Sequence, residues 1–313
     1  MNRVINFHEV SSREWFESVI KFVSAKYQMV PVASLDGYYA GKEELDNTCH
    51  ITVDDGHSSF YKNIFPILLK YNVPATLFVS PVISSYGLNF WFQEIEKYDV
   101  KKLRNIIAGM YKVPLKSLER YNVFNLFKCM SFDHIRSMIW QYQMENDVYP
   151  AASMNMTVDE IETVRNSGLV EIGAHTNNHP ILMNEDDRSS QQEIAGSVNM
   201  LGEMLGNPIR YFSFPNGIPG LDFTSRELRT LADAGIRLCF TTETKNFTRR
   251  NSRLAVPRFG ISDKESLTMI KAKLLLGDSW TSISRIRSKN ELRERMELKK
   301  ALPVPGMQEA FAY

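Results

Sequence analysis

Two short segments hold most of the residues in this chain that could do chemistry: Asp54-Asp55-Gly56 and His175-Thr176-Asn177-Asn178-His179. Two imidazoles four positions apart share one face of a helix, and they can also converge from a tight turn. Asn177, Asn178 and the following Pro180 favour a turn or a single helical turn. Such a pair alone is a weak signal. Its setting sharpens it, because the pair follows the apolar run Leu169 to Ile172 and then Gly173. The aspartates follow another such run, Ile51-Thr52-Val53. Adjacent strand residues point to opposite faces, yet at a strand end followed by glycine the chain can turn both carboxylates into one cleft.

Two neutral imidazoles and a carboxylate form a ligand set suited to zinc, cobalt, iron or manganese. Three protein ligands leave a position for water, and zinc can bring the pKa of that water to about 7. The second aspartate would then take the water's proton as general base. Carboxylates this close need a cation or a shared proton to coexist, and a metal supplies the charge.

The elements that must position these residues follow from periodicity. Strands are expected at 51–53, 75–79, 169–172, 211–214 and 236–241. A helix is expected over 60–71, with Pro66 kinking it or marking its effective start. Thr157 with Glu160, and Thr224 with Glu227, have capping-box spacing. Ile194, Val198, Leu201 and Leu205 make one helical face that ends at Gly206. Alternating strands and helices imply a parallel sheet covered by helices, as a barrel or an open sheet. Both place sites beyond the carboxyl ends of strands, where the polar residues above lie. Residues 87–155 differ. They are rich in aromatics and charge (Phe90, Trp91, Phe92, Tyr98, Tyr111, Tyr121), lack a strand pattern, and read as a helical insertion.

The bulk composition excludes some classes. The chain's 313 residues suffice for one large domain or two modest ones. Lys plus Arg total 37 and Asp plus Glu 36, a balance that argues against a nucleic-acid binder. Cys49, Cys129 and Cys239 form no CxxC and no even set, so reduced, buried thiols are expected. The N-terminus has no apolar signal-peptide core, and no run reaches the roughly 18 apolar residues of a spanning helix. The expected compartment is the cytoplasm, without a transmembrane segment. The charged run Arg285 to Lys300 has helical spacing and reads as a solvated helix face, with contact to an anionic membrane surface as a minor alternative.

Ile51-Thr-Val-Asp-Asp-Gly56 resembles the first motif of the polysaccharide deacetylase family, carbohydrate esterase family 4, which carries the NodB-homology domain. Glu171-Ile-Gly-Ala-His-Thr-Asn-Asn-His-Pro180 resembles its second motif. Phe212-Ser-Phe-Pro-Asn-Gly217 is similar to the third, in the form common among exopolysaccharide-locus members. Val73 to Val79, Ala255 to Ile261 and Asn6-Phe7-His8 also sit where such members carry comparable segments. The resemblance implies an α/β fold, a distorted (β/α)7-type barrel over residues 1–262 that includes the 87–155 insertion. Residues 263–313 would then form a C-terminal helical tail.

It also implies removal of an acetyl group from an N-acetylated (sometimes O-acetylated) sugar in a polysaccharide, oligosaccharide or lipid-linked glycan precursor. One divalent metal is implied, zinc ahead of cobalt, manganese, nickel or iron. Carried across, Asp55, His175 and His179 would bind the metal and Asp54 would be the base. Donors around Pro215, Asn216 and Gly217 would help to stabilise the oxyanion.

The match departs in two places. Many relatives have an arginine two residues before the third motif's proline, where this chain has Ser213; Arg258 is the candidate to orient the base instead. The family's late general-acid histidine is absent, since no histidine follows His179. His8 is the first candidate replacement or substrate contact, and His57 beside the aspartates is the second. His50 and His134 are expected to be structural or exposed. Alternative functions are hydrolysis of other non-peptide C–N bonds, such as cyclic amides or ureides, and a degenerate, non-catalytic carbohydrate-binding homologue. The sequence identifies neither the sugar nor the oligomeric state.

Overall fold

The computed structural model describes residues 1–302, with side chains left undescribed at 281–290 and 301. The 303–313 part of the expected tail lies outside the described residues. Strands β1 (Arg3–Phe7), β3 (Thr48–Val53) and β4 (Ala75–Val79) are buried at every position. That is the pattern of parallel strands covered on both faces, and it explains why they read as near-continuous apolar runs. With β5 (Val170–Ala174), β6 (Tyr211–Ser213), β7 (Leu238–Phe240) and β8 (Phe259–Gly260) they form a parallel sheet in the order β7-β6-β5-β4-β3-β1-β8. A short strand, β2 (Gln28–Met29), pairs with β3 off this path. A parallel bridge between Phe240 and Val256 brings the segment leading to β8 against β7 and curls the sheet towards closure. The fold is the distorted (β/α)7-type barrel with a helical insertion.

Register fixes where the site forms. Phe7 pairs with Val53, and Val79 pairs with Ala174. His8, Asp54 and His175 therefore leave the sheet at one end, each one residue beyond a paired position. The intervening helices return the chain with the caps that the sequence specifies. Thr157–Glu160 and Thr224–Glu227 are both formed capping boxes. Gly206 ends its helix at φ +68°. Pro66 sits in the first turn of the helix Phe65–Tyr71, where a missing N–H costs nothing. The residues before it, Phe60–Ile64, form a π-helix. His50 is fully buried between the Val30 carbonyl and the Thr76 hydroxyl, a structural histidine.

The insertion builds a second core on the helices Trp91–Ile95, Val100–Tyr111, Val123–Phe127 and Phe132–Asn146, around Leu103, Ile107, Leu126, Phe127, Ile135 and Met138. The helix Asp278–Ala301 joins that core through Leu298, and Leu302 follows it there. Arg293, Glu297 and Lys300 face solvent as expected of the charged run, and Arg295 is the described residue that departs from that expectation. Arg295 is fully buried and pairs with the equally buried Asp222 at 2.7 Å, three positions before Leu298 on the same helical face. The charge run shows helical spacing, but nothing in it reveals that a buried carboxylate elsewhere in the chain receives one of its arginines. Among the described residues, no helix is long and apolar enough to cross a membrane.

Glu185 docks the insertion onto the barrel. Its carboxylate accepts from the backbone N–H of Phe132 at 2.8 Å, at a helix start whose own cap, Ser131, makes no side-chain bond. Burial pushes the Glu185 carboxyl up to about 7 against the opposing pull of that N–H. The folded protein thus holds a proton that the unfolded chain has already lost, and stability falls as pH rises from the ordinary carboxylate range towards 7. Glu185→Gln is expected to flatten that fall. Its melting temperature relative to the parent should be higher at about pH 8 than at about pH 5. Parallel melting-temperature profiles for the two proteins would contradict the assignment.

Candidate metal centre

The turn after β3 separates the two aspartates. Asp54 stays in line with the strand, and its N–H reaches the Phe7 carbonyl at 2.9 Å. Asp55 lies in the left-handed region at φ +71°, followed by Gly56 at +65°. A Cβ on Gly56 would also meet Val79 Cγ1 at 3.0 Å, so glycine answers both the dihedral and the space. Left-handed backbone at a non-glycine residue costs on the order of 1–2 kcal/mol, which the surrounding contacts must hold in place.

The histidine segment is a loop, resolving the two shapes left open by its sequence. Thr176 and His179 both have positive φ, +62° and +58°. Glu193, from the helix Asp187–Leu205, accepts the N–H groups of Asn177 and Asn178, each at 2.9 Å, and the Asn178 side chain at 2.6 Å. From the other side, Trp91 Nε1–H of the insertion donates to the His179 carbonyl at 3.0 Å. The rings of Phe90 and Phe92 meet the His179 ring edge to face.

Asp55, His175 and His179 offer one ligand atom each, all within 4.8 Å of one another. His175 Nδ1 lies 2.7 Å from the Ser213 carbonyl and so carries a proton by hydrogen-bond logic, which turns Nε2 towards Asp55. The Nε2 atoms of His175 and His179 are 3.3 and 3.6 Å from Asp55 Oδ1. That oxygen is buried and has no hydrogen-bond partner. A buried carboxylate oxygen facing two imidazole nitrogens fits a divalent cation well. Burial pushes the His179 imidazole down to about 3, so it is neutral and ready to donate its lone pair. Burial acts the same way on His175, but Asp55 and Asp54 outweigh it and the ring favours its proton. A proton and a metal ion compete for that nitrogen.

Asp54 faces a different partner. Arg258, fully buried, clamps both of its oxygens with Nη1 and Nη2 at 2.8 Å. Burial would raise the Asp54 carboxyl, but Arg258 outweighs it and holds the group below the usual carboxylate range. Ser213, which stands at the position of the expected arginine, accepts from Arg258 at 2.8 Å and donates to Asp54 at 3.3 Å. Asn6 donates to Asp54 at 3.1 Å and accepts from Arg258 at 2.9 Å.

His8 places Nε2 at 3.8 Å from Asp54 Oδ2 with its side chain 52% exposed, at the boundary between the buried carboxylate and solvent. His57 is held by the Ser59 hydroxyl at 2.9 Å, two residues beyond Asp55. The turn Pro215-Asn216-Gly217 is linked to the centre through Ser213. Its Gly217 N–H is taken by the Pro215 carbonyl, and its Asn216 Nδ2 is buried with no partner.

Asn6, Glu193 and Trp91 were not legible as site residues. The available signals were an asparagine inside the apolar strand Val4 to Phe7, and a glutamate beside Ile194 on a buried helix face. Asp55→Asn, His175→Ala and His179→Ala should each weaken zinc binding by more than about a hundredfold, since even residues that only support a ligand contribute tenfold or more. Titration calorimetry checks this, and a variant that binds zinc like the parent would remove that residue from the ligand set.

The sequence profile of the polysaccharide deacetylase family matches residues 41–105 and 129–239, over half of the chain. That span includes Asp54, Asp55, His175, His179 and the 215–217 turn, but neither His8 nor Arg258. No curated protein sequence matches the chain. Among solved structures, it is similar to the Streptococcus pyogenes deacetylase PplD in complex with acetate (16% identity, TM-score 0.58, covering 87% of this chain and 97% of that one). It is likewise similar to IcaB from Ammonifex degensii (20% identity, TM-score 0.57, 87% and 97%). The deacetylase domain of BpsB from Bordetella bronchiseptica gives 15% identity and a TM-score of 0.54, covering 83% and 96%. At these identities the structures speak to the fold, while the profile match speaks to the family: the chain belongs to the polysaccharide deacetylases, hydrolases that act on non-peptide C–N bonds.

Proposed function

We propose that this polysaccharide deacetylase removes the acetyl group from an N-acetylated sugar of a polysaccharide, oligosaccharide or lipid-linked glycan precursor. Asp55, His175 and His179 would hold one divalent ion, with zinc ahead of cobalt, manganese, nickel or iron on the basis of the N2O donor set. The observation that carries this reading is the division of labour between neighbouring aspartates. Asp55 faces the two imidazoles, while Asp54 is turned away onto Arg258. Acetate, held in the PplD structure, is the carboxylic acid product of a deacetylation.

A divalent ion held by Asp55, His175 and His179 would supply Lewis-acid polarisation of the acetyl carbonyl. Asp54, kept ionised and oriented by Arg258, accepts a proton from the attacking water. The water oxygen adds to the carbonyl carbon, the C–N bond breaks, and the amine leaves with a proton. His8 is the group placed to deliver that proton, because its Nε2 stands 3.8 Å from Asp54 Oδ2 and its side chain reaches solvent. His57 would contact substrate at the rim. Asn216 Nδ2 would donate to the developing oxyanion, with Pro215 and Gly217 fixing the turn that carries it. An intact triad with a separately oriented base favours turnover over a binding-only homologue.

Asp54→Asn keeps the shape of the site and removes the base. It should lower acetate release from N-acetylated oligosaccharides by about 10²–10⁴-fold while leaving zinc affinity nearly unchanged. Full activity in this variant would reject Asp54 as the base, and a parallel loss of zinc would make it a ligand.

A further inference from the structure

The two loops that present Asp55 and His179 belong to different strands, and both contain non-glycine residues in left-handed backbone. Such loops hold a shape only as far as outside contacts hold them. The insertion supplies those contacts at both of its roots. At its start, Trp91, 4% exposed, bonds the His179 carbonyl. At its end, Met156 N–H donates to the Gly56 carbonyl at 2.8 Å, and Ser58 N–H donates to the Met154 carbonyl at 2.9 Å. Asn155 forms an antiparallel bridge with His57 between those two bonds.

The roots are also tied to each other. Gln93, in the same helical turn as Trp91, donates Nε2–H to Asn155 Oδ1 at 2.9 Å. Asn155 Nδ2–H returns the bond to Gln93 Oε1 at 2.9 Å. Gln93 Oε1 also accepts from Phe90 N–H, and Asn155 Nδ2 also reaches the Leu88 carbonyl. The two side chains are 7% and 6% exposed, so shortening either leaves buried polar atoms unpaired.

We propose that the Gln93–Asn155 amide pair is a positioning device for the metal centre. It fixes the spacing between the Asp55 loop and the His179 loop through the roots of the insertion. The path runs from the His179 carbonyl through Trp91 and the backbone to Gln93, across to Asn155, and through the neighbouring backbone bonds to residues 56–58. Metal ligands must be held to within about 0.5 Å of their working geometry, and this path is a direct non-covalent connection between two of them. The inference rests on the assignment of Asp55, His175 and His179 as the metal ligands.

The test is zinc titration calorimetry of Gln93→Ala, Asn155→Ala and the exchanged pair Gln93→Asn with Asn155→Gln, alongside melting curves taken with chelator. The single variants should lose about tenfold in zinc affinity, and the exchanged pair, which restores the combined side-chain length, should recover most of it. Zinc affinity equal to the parent's in folded single variants would overturn the proposal. So would a loss that the exchanged pair does not recover and that simply follows the melting temperature. A parent protein that binds no zinc would overturn the ligand assignment itself, before any variant is made.

Hydrogen exchange on the parent protein covers variants that fail to fold. Adding zinc should slow exchange at 91–93 and 154–156 together with 176–179. Slowing confined to the ligand loops would contradict the coupling.

Discussion

Asp54 and Asp55 occupy consecutive positions and are both buried, and Arg258 makes that arrangement sustainable. Two carboxylates there carry two negative charges, and Arg258 neutralises one with a two-pronged bond to Asp54. Of the two imidazoles facing Asp55, His179 is neutral, whereas the carboxylates favour a proton on His175. The charge left on Asp55 thus draws a cation to the triad, a proton or a metal ion. Removing one partner of such a buried pair typically costs about 3–5 kcal/mol, because the other charge is left without solvent or counter-ion. Arg258 also lies just before β8, the strand that pairs with β1, and its Nε–H bonds the Thr241 carbonyl just past β7. The Arg258–Asp54 interaction therefore joins both sides of the barrel's closing seam.

Much of this was legible in the sequence where local rules apply. The capping boxes, the glycine stop at Gly206, and the strands that end at Asp54 and His175 each follow from residue type and spacing. Arg258 became a candidate only through the resemblance to the family, which implies an arginine at the position that Ser213 occupies. Asn6 and Glu193 were hidden for a different reason. Each acts through partners far along the chain, and neither periodicity nor capping chemistry reports such pairings. The charged C-terminal run reads as a solvated helix face, and its composition does not reveal that the buried carboxylate of Asp222 draws one of its arginines, Arg295, inward.

The insertion is more than an appended lobe. Its core is separate from that of the barrel, but its roots stand on the Asp55 and His179 loops, and the aromatic segment Phe90-Trp91-Phe92 packs against His179. Strain in the left-handed turns at Asp55, Thr176 and His179 is thereby held by bonds from three directions: the Glu193 helix, Trp91, and the Met154–Met156 segment. The arrangement would allow a metal site to form on loops, without a long helix to carry the histidines.

The central claim is that Asp55, His175 and His179 together form one metal-binding site, and X-ray absorption spectroscopy of the zinc-loaded protein tests it most directly. The expected spectrum shows two imidazole nitrogens and oxygen ligands at about 2.0–2.2 Å, with no sulfur shell. A spectrum showing fewer than two imidazoles, or a sulfur ligand at about 2.3 Å, would contradict it.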